Sequence, residues 1–294
     1  MTRDLFDSGV PDSEAHRDYL ALRDSQTKNT RMAREWLHPM WEEFDRRGLA
    51  DRAFLAEFAR RPLHRWWEMH LGCALLASGV DLRRDEEAPD FWAPLDGRRV
   101  WYEAKVVEEG VTAAAVPDII YDLRARDVPI DQVRLRIRQA VLEKRKKRDA
   151  HVRSGVIGPD DSYVLALNLK GTHYAHMGEP SLLVRTMFGV QPLWVVDPQS
   201  ETYGVAYADE STIPYRTTRG KWATHKFKPF RDPAYRWLAY VVGSHGDPWN
   251  VPEPLWADFE VARHPFATPL PPQMVPRGVE QAADEPQVNS LKLT

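Results

Sequence analysis

The chain holds a single cysteine, Cys73, in 294 residues. An intrachain disulfide and a Cys-rich zinc site are thereby excluded, and this usage suits a reducing, cytoplasmic location. Long apolar runs are also missing. No stretch approaches the roughly 18 residues that a membrane span needs. The opening MTRDLFDSGVPDSE has no apolar core of a signal peptide, so no membrane partner is expected. An excess of one charge is missing too. The 40 Lys and Arg face 43 Asp and Glu, for a net charge of −3. Bulk charge therefore does not announce a nucleic-acid binder, and any such function must rest on a local patch. There is no G-x-x-x-x-G-K-[ST] and no G-x-S-x-G, which removes a P-loop ATPase and a hydrolase nucleophile elbow. No internal repeat is visible.

What is present is enough for one large or two small domains. The chain is 43% hydrophobic and 28% charged, and it has 11 Trp residues, some for a core and some available to line a groove. The most informative stretch is PDFWAPLDGRRVWYEAK, residues 89–105. Asp96-Gly97 between two aromatic and β-branched runs predicts a hairpin with a type I′ turn. A two-residue loop sets Leu95 opposite Arg98, and counting outward sets Asp90 opposite Glu103. Directly opposed side chains share a face, and Lys105, two residues on, shares it too. The pattern brings two carboxylates and an ammonium to the open end of a hairpin. Like charges facing each other destabilise a sheet; a divalent cation between them reverses that sign. Pro94 cannot donate to a ladder, so the first strand is either an edge strand or bulged. A one-residue slip would send Asp90 to the other face.

Around the hairpin, residues 1–28 read as a loose polar arm with room for one short helix. Asn29 or Thr30 caps a predicted helix over about 31–47, with Trp36, Met40, Trp41 and Phe44 at helical spacing and Gly48 as its stop. A short helix follows over about 50–60. Pro62 opens a third helix that ends at Gly79. Its apolar stripe carries Glu68 on a flank, and Gly72 one turn later leaves space beside that carboxylate. Glu68 reads either as a site residue or as an ordinary half-exposed glutamate. Residues 80–87 read as a short strand or turn. Residues 111–130 read as a loop with a short helix near 117–125.

A helix over 130–153, with Asp131 as N-cap, carries from Arg134 to Arg153 the residues Arg134, Arg136, Arg138, Lys144, Arg145, Lys146, Lys147, Arg148 and Arg153 against only Glu143 and Asp149. Such a run is either a solvated face or a polyanion contact, and its nearly single sign leaves self-repulsion that a polyanion would relieve. Strands are expected at 162–170, 193–197 and 202–207. Residues 213–231 interleave Arg216, Arg219, Lys221, Lys226, Lys228 and Arg231 with Tyr215, Trp222, Phe227 and Phe230. That pattern suits backbone contact plus base stacking, or a surface hairpin with snorkelling side chains. Residues 235–244 are strand or helix. Prolines dominate from 264, and 275–294 read as a flexible tail. Cys73 reads as a buried structural thiol, and His173-x-x-His176 as a surface loop rather than a metal pair.

On chemistry alone, Asp90, Glu103 and Lys105 suit metal-assisted phosphodiester hydrolysis. Carboxylate oxygens favour Mg²⁺, with Mn²⁺ as a substitute; Lys105 would orient a water or neutralise developing charge, and the Ala104 carbonyl and Glu68 could complete the ligand set. Pro89-Asp90, a gap, then Glu103-Ala104-Lys105 resembles the PD-(D/E)XK nuclease superfamily, the restriction-endonuclease-like fold. Glu68 on the preceding helix resembles the acidic residue that many members carry there, and a basic helix followed by a strand matches the family's order. The resemblance covers about residues 62–170. The Gln-x-x-x-Tyr motif of some members is not carried over, because Glu143 follows Gln139 at the fourth position.

The expected architecture is α/β: a restriction-endonuclease-like central mixed β-sheet flanked by helices, with an N-terminal helical layer over 1–61, the nuclease-like domain with its C-terminal extension over 62–270, and a Pro-rich tail over 271–294. The implied function is a Mg²⁺-dependent DNA endonuclease of restriction or phage-defence type. Asp90, Glu103, Lys105 and Glu68 would be catalytic, and Asp90, Glu103, Ala104 and Glu68 would hold the metal. Arg138, Gln139, Lys144, Arg145, Lys146, Lys147, Arg148, Arg219 and Lys221 would meet nucleic acid. A non-catalytic nucleic-acid-binding or assembly protein on the same fold, and an RNA-directed nuclease, stay open. So do a homodimer, which symmetric duplex cutting would require, and a partner protein.

Overall fold

The computed structural model describes residues 3–110, 115–117, 127–175, 181–196, 203–216, 221–251, 254–275 and 279–280. In chain order the helices are α1 (Arg17–Asp24), α2 (Lys28–Arg46), α3 (Phe54–Arg60), α4 (Pro62–Ala77), α5 (Ile130–Arg153) and α6 (Leu182–Phe188). The strands are β1 (Phe91–Leu95), β2 (Arg98–Val106), β3 (Ser162–Asn168), β4 (Val190–Val196), β5 (Tyr203–Asp209), β6 (Thr212–Arg216), β7 (Trp222–Lys226), β8 (Leu238–Ser244), β9 (Glu260–Arg263) and β10 (Val279–Glu280). None of the described helices is long and apolar enough to cross a membrane.

The Asp-Gly turn has the backbone its sequence demands: Asp96 and Gly97 both take positive φ, 47° and 81°, as a type I′ turn requires. The register is the one counted from that turn, with Leu95 opposite Arg98 and Phe91 opposite Tyr102. β1 is the sheet edge. The Trp92 N–H points outward to the Arg83 carbonyl at 2.8 Å. Two residues on, Pro94 also points its nitrogen outward, where no bond to β2 is lost.

The hairpin begins a six-stranded mixed sheet of order β1-β2-β3-β8-β9-β10. β2, β3 and β8 run parallel, β1 runs antiparallel to β2 and β9 antiparallel to β8, and β10 runs parallel to β9. The parallel centre is covered on both faces, as such sheets must be. Along β3, Val164 and Ala166 enter one apolar cluster with α4, whereas Tyr163, Leu165 and Leu167 enter another with α5. α4 is apolar almost all round, and from Trp66 to Leu75 every residue is buried. The Trp67 indole donates to the Ala166 carbonyl at 3.0 Å and locks the helix to the sheet. β4–β5 and β6–β7 are separate hairpins.

Several expectations change. Residues 3–28 are no loose arm: Leu5, Tyr19 and Leu22 are buried, and the Tyr19 hydroxyl donates to the Phe6 carbonyl at 2.7 Å. Thr27 caps α2, accepting the Thr30 N–H. Trp36 stays 37% exposed although its helical partners Met40, Trp41 and Phe44 are buried. The space beside Gly72 is taken by α2: a Cβ there would lie 2.7 Å from the Phe44 ring. Pro129, not Asp131, precedes α5, and Asp131 sits in its first turn. Residues 235–244 resolve into a short 3-10 turn and β8. The chain stays packed past 270, where the Tyr102 hydroxyl donates to the Met274 carbonyl at 2.7 Å and β10 pairs with β9. The expected helix near 117–125 and the remaining tail, 281–294, lie outside the described residues.

Candidate active site

β1 starts at Phe91, opposite Tyr102, so β2 runs on for residues 103–106 without a strand on that side. In an antiparallel pair, the inward backbone groups recur every second residue. Tyr102 faces Phe91 with both its groups, and Ala104 presents its N–H and C=O to the same vacated edge. The Asp90 carboxylate fills part of that gap, accepting the Ala104 N–H at 2.7 Å. One side chain thus takes over the ladder position where the backbone leaves the sheet.

Glu103 points toward α5 and is fully buried. An isolated carboxylate there would be very costly, and α5 supplies the compensation. Lys144 donates to its Oε1, Lys147 donates to the same oxygen at 2.9 Å, and the Tyr163 hydroxyl donates to Oε2 at 3.3 Å. Burial pushes the Glu103 carboxyl up, but the two ammonium groups outweigh it and hold the group below its ordinary range. Lys144 is itself desolvated, yet Glu103 and Asp90 hold it above the usual lysine range. Lys105 shares that face of β2 and meets Glu143 of α5 at 3.1 Å.

Among the described residues, no lysine is bonded to Asp90, although Lys144 and Lys147 lie near enough to draw its pKa down. Burial, reinforced by the charges of Glu103 and Glu68, pushes its pKa up to about 7. Glu68 comes from the other side of the sheet, on α4. It is fastened by Arg65 at 2.7 Å and by Arg84, and both arginines also bind Asp51, at 3.0 and 2.8 Å. A cavity of about 340 Å³ wraps the vacated edge of β2. Glu68, Asp90, Ala104, Lys105, Lys144 and Lys147 line it, together with Arg61, His64 and Arg65.

Of the residues read as catalytic, Glu68, Asp90 and Lys105 line this cavity, whereas Glu103 is fully buried behind it against Lys144 and Lys147. The residues read as nucleic-acid contacts divide. Lys144 is 8% exposed and Lys147 turns to Glu103. Arg138, Arg145 and Arg148 lie over the rings of Phe227, Tyr235 and Trp237, at 6.0, 4.5 and 5.1 Å. Gln139 accepts from Arg136 at 2.7 Å. Lys146 is exposed, as is Lys221 beside the 74%-exposed Trp222. Arg219 and His176 lie outside the described residues, and His173 meets Glu109 at 3.1 Å. Cys73 is buried, and burial pushes its thiol pKa up.

Sequence reasoning missed Tyr163, Arg65, Arg84 and Asp51. Tyr163 stood in a recognised strand, but nothing local tells which buried tyrosine meets a carboxylate. The Arg65-to-Glu68 spacing of three was the one available signal.

Among the described residues no group of three or more His, Cys, Asp or Glu side chains is assembled as a metal cage. The chemistry of Asp90 nevertheless fits a hard cation. It is a half-buried carboxylate with a raised pKa, beside the outward carbonyl edge of Ala104, and Mg²⁺ needs only one or two carboxylates with waters and substrate oxygens. No protein-family model, curated protein or solved structure matches the chain.

Proposed function

We propose that this protein is a Mg²⁺-dependent nuclease on the restriction-endonuclease-like fold, cutting DNA internally. The observation that carries the reading is the placement of Asp90. Its half-buried carboxylate sits on the Ala104 N–H at the vacated edge of β2, in one cavity with Lys105 and close enough to Glu103 for that charge to raise its pKa.

Asp90, Glu103 and the Ala104 carbonyl would hold the ion, with Glu68 behind them. The bound cation would act as a Lewis acid on a phosphoryl oxygen. The chain's own groups do the rest. Lys105 lines the cavity and is 21% exposed; its ammonium can leave Glu143 to face a phosphate or orient the attacking water. Asp90, with a pKa pushed up to about 7 without the cation, would release its proton when the cation binds. Lys144 and Lys147 keep Glu103 ionised, and the cation would have to displace them from its Oε1. Cutting both strands of a duplex would take two such sites, hence a homodimer or a partner protein.

The second reading is a non-catalytic nucleic-acid-binding or assembly protein. It is favoured by the internal pairing of Glu103 with two lysines and of Lys105 with Glu143. Incubating plasmid, single-stranded DNA and matched RNA with Mg²⁺, Mn²⁺ or EDTA, beside Asp90→Ala and Lys105→Ala, separates the readings. The nuclease predicts metal-dependent cutting of DNA, reduced at least about a hundredfold in either variant. Cutting that persists in Asp90→Ala would sink it. Preferential cutting of RNA would change the substrate class, and retention of DNA without cutting would favour the binding protein.

A further inference from the structure

The cavity at β2 does not end at Lys105. A second cavity of about 570 Å³ adjoins it, sharing Arg61, His64 and Val106 as walls and running out past Arg17 and Arg60. At the junction stands an anion that belongs to the chain itself. One carboxylate oxygen, Oε1 of Glu108, accepts from Arg61 Nη2 at 3.1 Å and lies 3.1 Å from His64 Nε2. Burial, with Arg61 next, pushes the His64 pKa down to about 4, so the imidazole is neutral near pH 7 and Arg61 supplies the positive charge at the junction.

Arg61 and Glu108 are 56% and 53% exposed. An ion pair so exposed to water contributes little to stability, and exchanging its carboxylate for another anion costs little. Arg61 and His64 are held by backbone on both sides. Arg61 is the residue between α3 and α4, fixed before Pro62, and His64 lies in the first turn of α4. The same elbow supplies Arg65, which reaches Glu68 in the first cavity.

We propose that Arg61 and His64 form a phosphate-binding site for the nucleic-acid strand flanking the reacting phosphodiester, and that Glu108 occupies it in the free protein. The N-terminal helical layer, not only the basic α5, then carries the strand to the centre. The inference rests on the nuclease or nucleic-acid-binding reading above, but not on catalysis.

The test is binding of the full-length protein to a labelled mixed-sequence DNA oligonucleotide, single-stranded and duplex, in EDTA across a salt series. Arg61→Ala should weaken binding roughly fivefold near 0.1 M salt and lower the salt slope by about one. Glu108→Gln should tighten binding about two- to fivefold, because the competing anion is gone. Arg31→Ala, on the exposed face of α2, is the charge control, and thermal melting of each variant confirms folding. Wild-type binding that Arg61→Ala and Glu108→Gln both leave unchanged would overturn this site alone. So would an equal loss in Arg31→Ala. Absence of any DNA binding by the wild type would overturn the functional reading and this site together.

Discussion

The two faces of β2 solve burial in different ways. Toward α4 it turns Val100, Tyr102, Ala104 and Val106, and the helix answers with Trp66, Trp67 and Leu71. Toward α5 it turns Trp101, Glu103 and Lys105, and that helix answers with Lys144, Lys147 and Glu143. The first face depends on shape, the second on charge balance. The difference teaches where to look for chemistry. Charge on the α5 face is matched within the protein, while Asp90, at the seam between the faces, is left with one backbone donor and a carboxyl pushed up to about 7.

The largest expected effect breaks the charged face. Glu103→Ala leaves Lys144 buried without its carboxylate, and should cost about 3–5 kcal/mol in denaturant unfolding. The paired change Glu103→Leu with Lys144→Met should recover most of that loss, because both desolvated charges go together. A double variant as unstable as the single one would show that the face depends on more than charge balance. The apolar face should respond to volume instead. Gly72→Ala places a methyl 2.7 Å from the Phe44 ring, which is itself packed against Phe54 and Phe91, and should cost about 1–3 kcal/mol. A neutral result would mean that α2 and α4 can separate freely.

The smallest effect at neutral pH, and the sharpest on the seam, comes from Asp90→Asn. The folded pKa of Asp90 lies above its unfolded value of about 3.8. Between the two values the folded state therefore binds more protons than the unfolded one. The contribution of Asp90 is fully present below pH 4 and is lost as pH rises through about 7. Glu103 behaves oppositely: its carboxyl is held below 4.5, so its contribution is present above that pH and lost on acidification. Melting temperatures of Asp90→Asn from pH 4 to 8 should lack the wild-type decline toward pH 8. An unchanged profile would remove Asp90 as the titrating group.

Much of this was legible along the chain, for local reasons. The Asp96-Gly97 turn set the hairpin and its register, because both central residues must take positive φ and a two-residue loop leaves no slack. Glu103 and Lys105 followed as neighbours on one face. α4 and α5 were visible as a proline-started helix and a helix with one-sided charge. Long-range choices were not legible. The basic run on α5 looked like one surface, yet helical geometry sends Lys144 and Lys147 to Glu103, and Arg145 and Arg148 to Tyr235 and Trp237. Gly72 looked like an opening because the Phe44 ring that fills it lies on another helix. The N-terminal arm looked loose because its few apolar residues, Leu5, Phe6 and Tyr19, find partners only in tertiary structure.

By itself, then, the sequence determined the hairpin, its register and the identity of the acids and the lysine at its open end, since turn chemistry and strand alternation act over a few residues. Only the tertiary structure decided which of those acids is neutralised. Pairing a buried charge depends on which distant helix packs against the strand, and α5 reaches Glu103 while Asp90, just before an edge strand, accepts among the described residues from the Ala104 N–H.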